Sequence, residues 1–238
     1  MTDLPPWDIL LGWVARGQRL VERAAAGLEP GQLPEPSRLA TWSRGHVLSH
    51  LARNADALTN LLTWARTGVE SRMYSSPGER EDGIRTGAHR GLPEQLADLT
   101  ASGSHFLAEA HAVPAARRSF SVISGQGRQI AAHEVPWLRV REVWLHLVDL
   151  DAGNGIDILP AGVAWTLTTD VAAWMTQRTT ATVDLRVNGY GTVRLGAAAS
   201  ADGVVEGSPQ RIAGWLTGRA SPAGLTRSGE LPDLPRWL

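Results

Sequence analysis

The chain has 238 residues, 43% of them hydrophobic and 20% charged, with a formal net charge of −1. That is the composition of a folded globular protein, long enough for one large or two modest domains, and its near-neutrality gives no electrostatic footing for nucleic acid or an anionic membrane. There is no cysteine, and all 23 basic residues are arginine, which excludes disulfides, a protein thiol nucleophile, a Schiff-base lysine and a Walker lysine.

The first predicted helix runs from about Trp7 to Ala26, after Pro5 and Pro6, with Ile9, Leu10, Trp13, Leu20 and Val21 as apolar marks. Pro30, Pro34 and Pro36 close it. Ser43 is the predicted N-cap of a second helix reaching about Trp64, carrying Val47, Leu48, Leu51, Leu58, Leu61 and Leu62. Residues 68–90 are polar and Gly-rich and read as a long connection, a type of segment that often carries function. Pro93 starts a third helix to about His111. After a short extended segment between Ser119 and Ile130, Pro136 opens a fourth to about Leu150. Four helices of this length predict a bundle over residues 1–153.

The pattern changes at Gly153-Asn154-Gly155. A fifth helix follows Pro160 to about Met175. Thr182 to Val187 alternates with period two, Asn188-Gly189 signals a hairpin, and Thr192 to Leu195 continues as a strand. Val204-Val205 adds a third strand, and Ser208-Pro209 caps a last helix ending near Gly218. The expectation is an α+β protein: a four-helix bundle followed, over 154–238, by a smaller α/β domain with a short antiparallel sheet. No run of eighteen apolar residues is present, and the first six residues lack the pattern of a signal peptide, so a cytoplasmic location is expected.

Two runs carry the chemistry. Glu142-Val143-Trp144-Leu145-His146 places a carboxylate and an imidazole four residues apart, so both project from one helix face. His46-Val47-Leu48-Ser49-His50 does the same with two histidines, either or both of which can be ligands. Two imidazoles and one carboxylate leave a zinc coordination position open for chemistry, and the same set suits iron(II). The ordinary alternative is that Glu142 pairs with Arg139 or Arg141 and that the histidines are structural. Asp149, further along the same face, is a candidate to orient a ligand histidine, and Asp56 is a similar candidate on the second helix. Arg80, in the long connection, and Arg219, after the last helix, are otherwise unassigned cations.

Several stretches together resemble the mycothiol-dependent maleylpyruvate isomerases of the DinB-like metal-binding superfamily. They are Trp42 through His50, Met73-Tyr74-Ser75-Ser76-Pro77, Gly125-Gln126-Gly127-Arg128, Arg141 through Leu150, Gly218-Arg219 and the terminal Pro235-Arg236-Trp237-Leu238. The resemblance implies zinc, or another divalent metal, held by His50, Glu142 and His146, with His50 rather than His46 as the ligand. It also implies catalytic roles for Arg80 and Arg219, and mycothiol as cofactor. The implied reaction turns maleylpyruvate into fumarylpyruvate. A thiolate adds to the alkene, charge moves onto the carbonyl oxygen, the resulting single bond rotates, and expulsion of the thiolate restores the alkene in trans form. With no cysteine in the chain, that thiol comes from outside. The substrate is a small dianion suited to bidentate arginine clamps. The alternatives on the same scaffold are a mycothiol S-transferase, another metal-dependent enzyme, or a metal-binding sensor module. No nucleic-acid or membrane partner is expected, and a monomer is compatible with the sequence.

Overall fold

The computed structural model describes residues 4–76, 78–229 and 231–237; Met1 to Asp3, together with Pro77 and Leu238 of the stretches quoted above, lie outside the described residues. Residues 5–153 form one compact unit and residues 154–238 belong to another. The first unit contains α1 (Trp7–Ala26), α2 (Arg44–Thr67), a short α3 (Glu79–Ala88), α4 (Leu92–Ala112), the hairpin of β1 (Ser121–Ile123) and β2 (Gln129–Ala131), and α5 (Glu134–Asp149).

The four long helices form the bundle, with α1 and α2 each packed on both α4 and α5. Helix α1 buries Trp7, Leu10, Leu11, Val14, Val21 and Ala25, a stripe at spacings of three and four, while Ile9 falls off the stripe and is 49% exposed. Helix α2 begins with a capping box. The Ser43 side chain accepts from the His46 backbone N–H, and the His46 ring accepts from the Ser43 backbone N–H. Its buried Leu48, Leu51, Leu58, Leu61 and Leu62 form the centre of the bundle, each stabilising it by roughly 1.5–3 kcal/mol. Helix α5 starts at Glu134, so Pro136 sits in its first turn, where proline is tolerated.

Part of the segment expected as a connection, residues 68–90, is helical. Helix α3 has two glycines and only Ile84, Gly87 and Ala88 buried. What makes it a helix is docking on α2. A Cβ at Gly45 would lie 2.6 Å from the Ala88 carbonyl oxygen, and one at Gly87 would lie 2.2 Å from Ser49 Oγ. These close approaches seat α3 against the turn of α2 that carries His50.

The second unit contains α6 (Ala161–Thr176), β3 (Val183–Val187), β4 (Gly191–Leu195), β5 (Gly203–Gly207), α7 (Pro209–Leu216) and β6 (Thr226–Ser228). The sheet has the order β4-β3-β5-β6. The hairpin of β3 and β4 is antiparallel, as expected from Asn188-Gly189, and β5–β6 is antiparallel too. The β3–β5 pair is parallel, so the sheet as a whole is mixed rather than purely antiparallel. The cause is the crossing after β4. At Gly196, with φ +99°, the chain passes so close to β3 that a Cβ would lie 2.2 Å from the Ala181 carbonyl oxygen. It then crosses to the far edge of β3 and is held by the Asp202 carboxylate, which accepts from the Thr182 N–H at 2.9 Å. β5 therefore starts beside the start of β3. Helices α6 and α7 pack on each other and on the sheet, over buried Val183, Leu185, Val187, Leu195 and Val205. No described helix is long and apolar enough to cross a membrane.

Candidate metal site

Helix α5 is anchored by fully buried Val140, Val143, Trp144, Leu147 and Val148. That anchoring fixes where the polar residues between them point. Glu142 and His146 sit one turn apart, with His146 Nε2 3.2 Å from Glu142 Oε2. From α2, His50 brings its Nε2 to 2.7 Å from the same oxygen. The two imidazole rings are 4.7 Å apart and nearly perpendicular, at 89°. One donor atom from each of the three residues lies within 4.8 Å of the other two, and this is the cluster of metal-ligand type among the described residues.

The electrostatics fit a cation. Burial drives His50 down to about 4, although Glu142 pulls the other way, so this imidazole is neutral at ordinary pH. Burial alone would raise Glu142, but hydrogen bonds with His146 and His50 outweigh it and hold the carboxyl well below its usual range. Burial would likewise lower His146, yet its bonds to Asp149 and Glu142 leave it above the ordinary imidazole value. The cluster therefore presents a carboxylate and a neutral imidazole beside a second imidazole that Asp149 and Glu142 make more basic. Two imidazole nitrogens and a carboxylate oxygen, converging and largely shielded from water, suit zinc with an open position and also suit iron(II).

Asp149 stands where the sequence suggested. It is 1% exposed, and its Oδ2 lies 3.0 Å from His146 Nδ1, which directs Nε2 of that ring toward the cluster. Asp56 does not play the corresponding part, because its carboxylate pairs with Arg53 on the same helix at 3.1 Å. Arg139 also departs from the ordinary alternative, directing its guanidinium to Leu51, Asn54 and Gln18 while Glu142 bonds the two histidines. His46 is spoken for by the cap, with Nδ1 2.7 Å from Ser43 Oγ.

Arg80 lies in the first turn of α3, with Nη2 3.4 Å from His50 Nδ1 and its guanidinium over the Trp42 ring at 6.0 Å. Trp42 in turn approaches the His50 ring at 5.3 Å. Burial raises the Tyr74 phenol, while the Arg80 charge pulls it the other way. A cavity of about 430 Å³ opens beside this corner, lined by Trp42, His46, Arg80, Glu81, Asp82 and Arg85 among others. Trp42 and Tyr74 are site residues that motif spacing missed. Both lie in segments with no helical period, and their only signal was membership of the stretches carrying the family resemblance. Arg219 belongs to the second unit, just past α7, where its N–H bonds Gly214 and its Nη1 donates to the Thr217 carbonyl at 2.9 Å.

Comparison with known proteins gives the family of the chain. The family model for the mycothiol maleylpyruvate isomerase N-terminal domain matches residues 14–151. A crystal structure of the mycothiol-dependent maleylpyruvate isomerase is similar at 31% identity over 98% of each chain, with a TM-score of 0.87. A histidine-to-alanine mutant of that enzyme gives 31% identity over 98% of each chain and 0.86. Among curated proteins, none matches the chain.

Proposed function

The chain belongs to the mycothiol-dependent maleylpyruvate isomerase family, and on that premise we propose that it isomerises maleylpyruvate to fumarylpyruvate with mycothiol, at a metal held by His50, Glu142 and His146. The observation that carries this reading is the convergence of those three side chains from two helices, with Asp149 behind one of them. A zinc ion bound there supplies Lewis acidity and stabilises a thiolate at neutral pH.

The chain's own residues do the rest. Glu142 contributes the one negative charge among the ligands. Asp149 fixes the tautomer and orientation of His146. Arg80 is the proposed planar two-pronged donor to one carboxylate of the dianionic substrate, a reading supported by its position over Trp42 and beside His50. Trp42 packs its ring beside His50. Arg219 is proposed as a second carboxylate clamp on the strength of the family resemblance. A reducing cytoplasm, where a small thiol stays reduced, is the compartment this chemistry needs.

The test is an assay of zinc-loaded protein with maleylpyruvate, with and without mycothiol, followed by chelation. The expected result is fumarylpyruvate only when metal and thiol are both present. Turnover without thiol, or undiminished turnover after complete chelation, overturns the proposal.

A further inference from the structure

We propose that Arg139 is a positioning residue of the metal site. Its guanidinium sets the ligand-bearing turn of α2 against the ligand-bearing turn of α5. This rests on the reading that His50, Glu142 and His146 hold a metal.

Arg139 is completely buried and lies on α5, one turn before Glu142. Its Nη1 donates to the Leu51 carbonyl at 2.8 Å and to Asn54 Oδ1 at 2.9 Å, both on α2. Leu51 is the residue after His50. Arg139 Nη2 donates to Gln18 Oε1 on α1 at 2.9 Å, and Gln18 Nε2 donates to the Leu99 carbonyl on α4 at 3.0 Å. One side chain thus ties α5 to α2 directly and, through Gln18, to α1 and α4. Its Nε has no hydrogen-bond partner among the described residues.

A buried guanidinium without a carboxylate in contact is costly, and burial brings its pKa down to about 10. An apolar residue of similar volume would suit a bundle core at least as well. What an apolar residue cannot do is fix the axial register of α2 on α5. Leucine-rich faces tolerate sliding, whereas two directed hydrogen bonds from Arg139 to α2 do not. The three ligands are divided between those two helices, so a slip of α2 along α5 changes the spacing of His50 from Glu142 and His146.

Two consequences have opposite sign, which makes the proposal testable. As a positive charge near the site, Arg139 repels a second cation, so its removal by itself would tighten metal binding. As a positioning group, its removal weakens metal binding. Cobalt(II) binding by Arg139→Met, read by titration calorimetry and by the visible ligand-field spectrum, decides between them. The expected result is a dissociation constant raised about 10- to 100-fold, the range for losing an outer-shell support, together with a changed spectrum. Asn54→Ala removes one acceptor on α2 without touching the cation, so it keeps the test open should Arg139→Met fail to fold. It should move both readouts the same way by less. A change in thermal stability alone, with cobalt affinity and spectrum unmoved, or tighter binding in Arg139→Met, overturns the inference while leaving the metal site standing. If wild-type protein takes up no cobalt, the metal reading fails first and the role of Arg139 falls with it.

Discussion

Two polar clusters lie in the interface of α2 and α5, barely a turn apart, and they are built on opposite terms. Around Arg139 three N–H donors are met by carbonyl or amide oxygens, and the guanidinium is closed to solvent. Around Glu142 one carboxylate oxygen is shared by two imidazoles at 2.7 and 3.2 Å, and the side chain keeps 21% of its exposure. The first cluster is complete without a ligand. The second brings donor atoms of three side chains to one point, with Glu142 held as a carboxylate between two rings. A polar group in a helical core can therefore be cement or socket, and the partners, more than the burial, tell which.

The sharpest way to break that contrast is to remove a socket residue. His50→Ala or Glu142→Ala should abolish metal binding and isomerase activity together, as read by metal analysis after gel filtration and by product formation. The fold should survive, because the apolar core residues of α2 and α5 are untouched in both variants. Full metal occupancy in either variant would show that the ligands are different residues.

Asp149→Asn probes the next layer. The amide keeps the shape but loses the charge that holds the His146 tautomer. Metal affinity should fall by about tenfold, the lower part of the range for outer-shell partners, with His50 unaffected. An unchanged dissociation constant would reduce Asp149 to a helix-end packing residue. Arg80→Lys should leave metal content as it is and raise KM or lower kcat, because an ammonium cannot make the fork contact to a carboxylate. Wild-type kinetics in that variant would dismiss Arg80 as a clamp.

How far the sequence revealed these layers follows from what is local. The caps and prolines at Ser43, Pro93 and Pro160 mark helices within a residue or two, and Asn188-Gly189 marks the β3–β4 turn. The Glu142–His146 spacing is legible because the helix itself creates the contact. Helix α3 is not legible, since Gly83, Gly87 and a run of charges carry no apolar period; its cause is the docking surface on α2. Strand β6 is exposed along its length and exists because β5 offers an edge. Arg139 reads in sequence as a candidate partner of Glu142, and only tertiary structure turns it toward Leu51, Asn54 and Gln18 instead.

The smallest expected effect tests the hardest sequence ambiguity, that between His46 and His50. Both have i, i+4 geometry with each other, so spacing cannot choose. The structure chooses through the helix end: His46 is the third residue of α2, and its ring accepts the Ser43 N–H in a capping box. Ser43→Ala should therefore destabilise the protein by about 1 kcal/mol, the usual cost of a lost N-cap, with no change in metal affinity. His46→Ala should cost less than that in stability, because the serine half of the box still works, and should also retain the metal. If His46→Ala instead releases metal while thermal stability stays near wild type, His46 belongs to the socket, the site is a closed four-ligand one, and the open position that the proposed chemistry needs is not there.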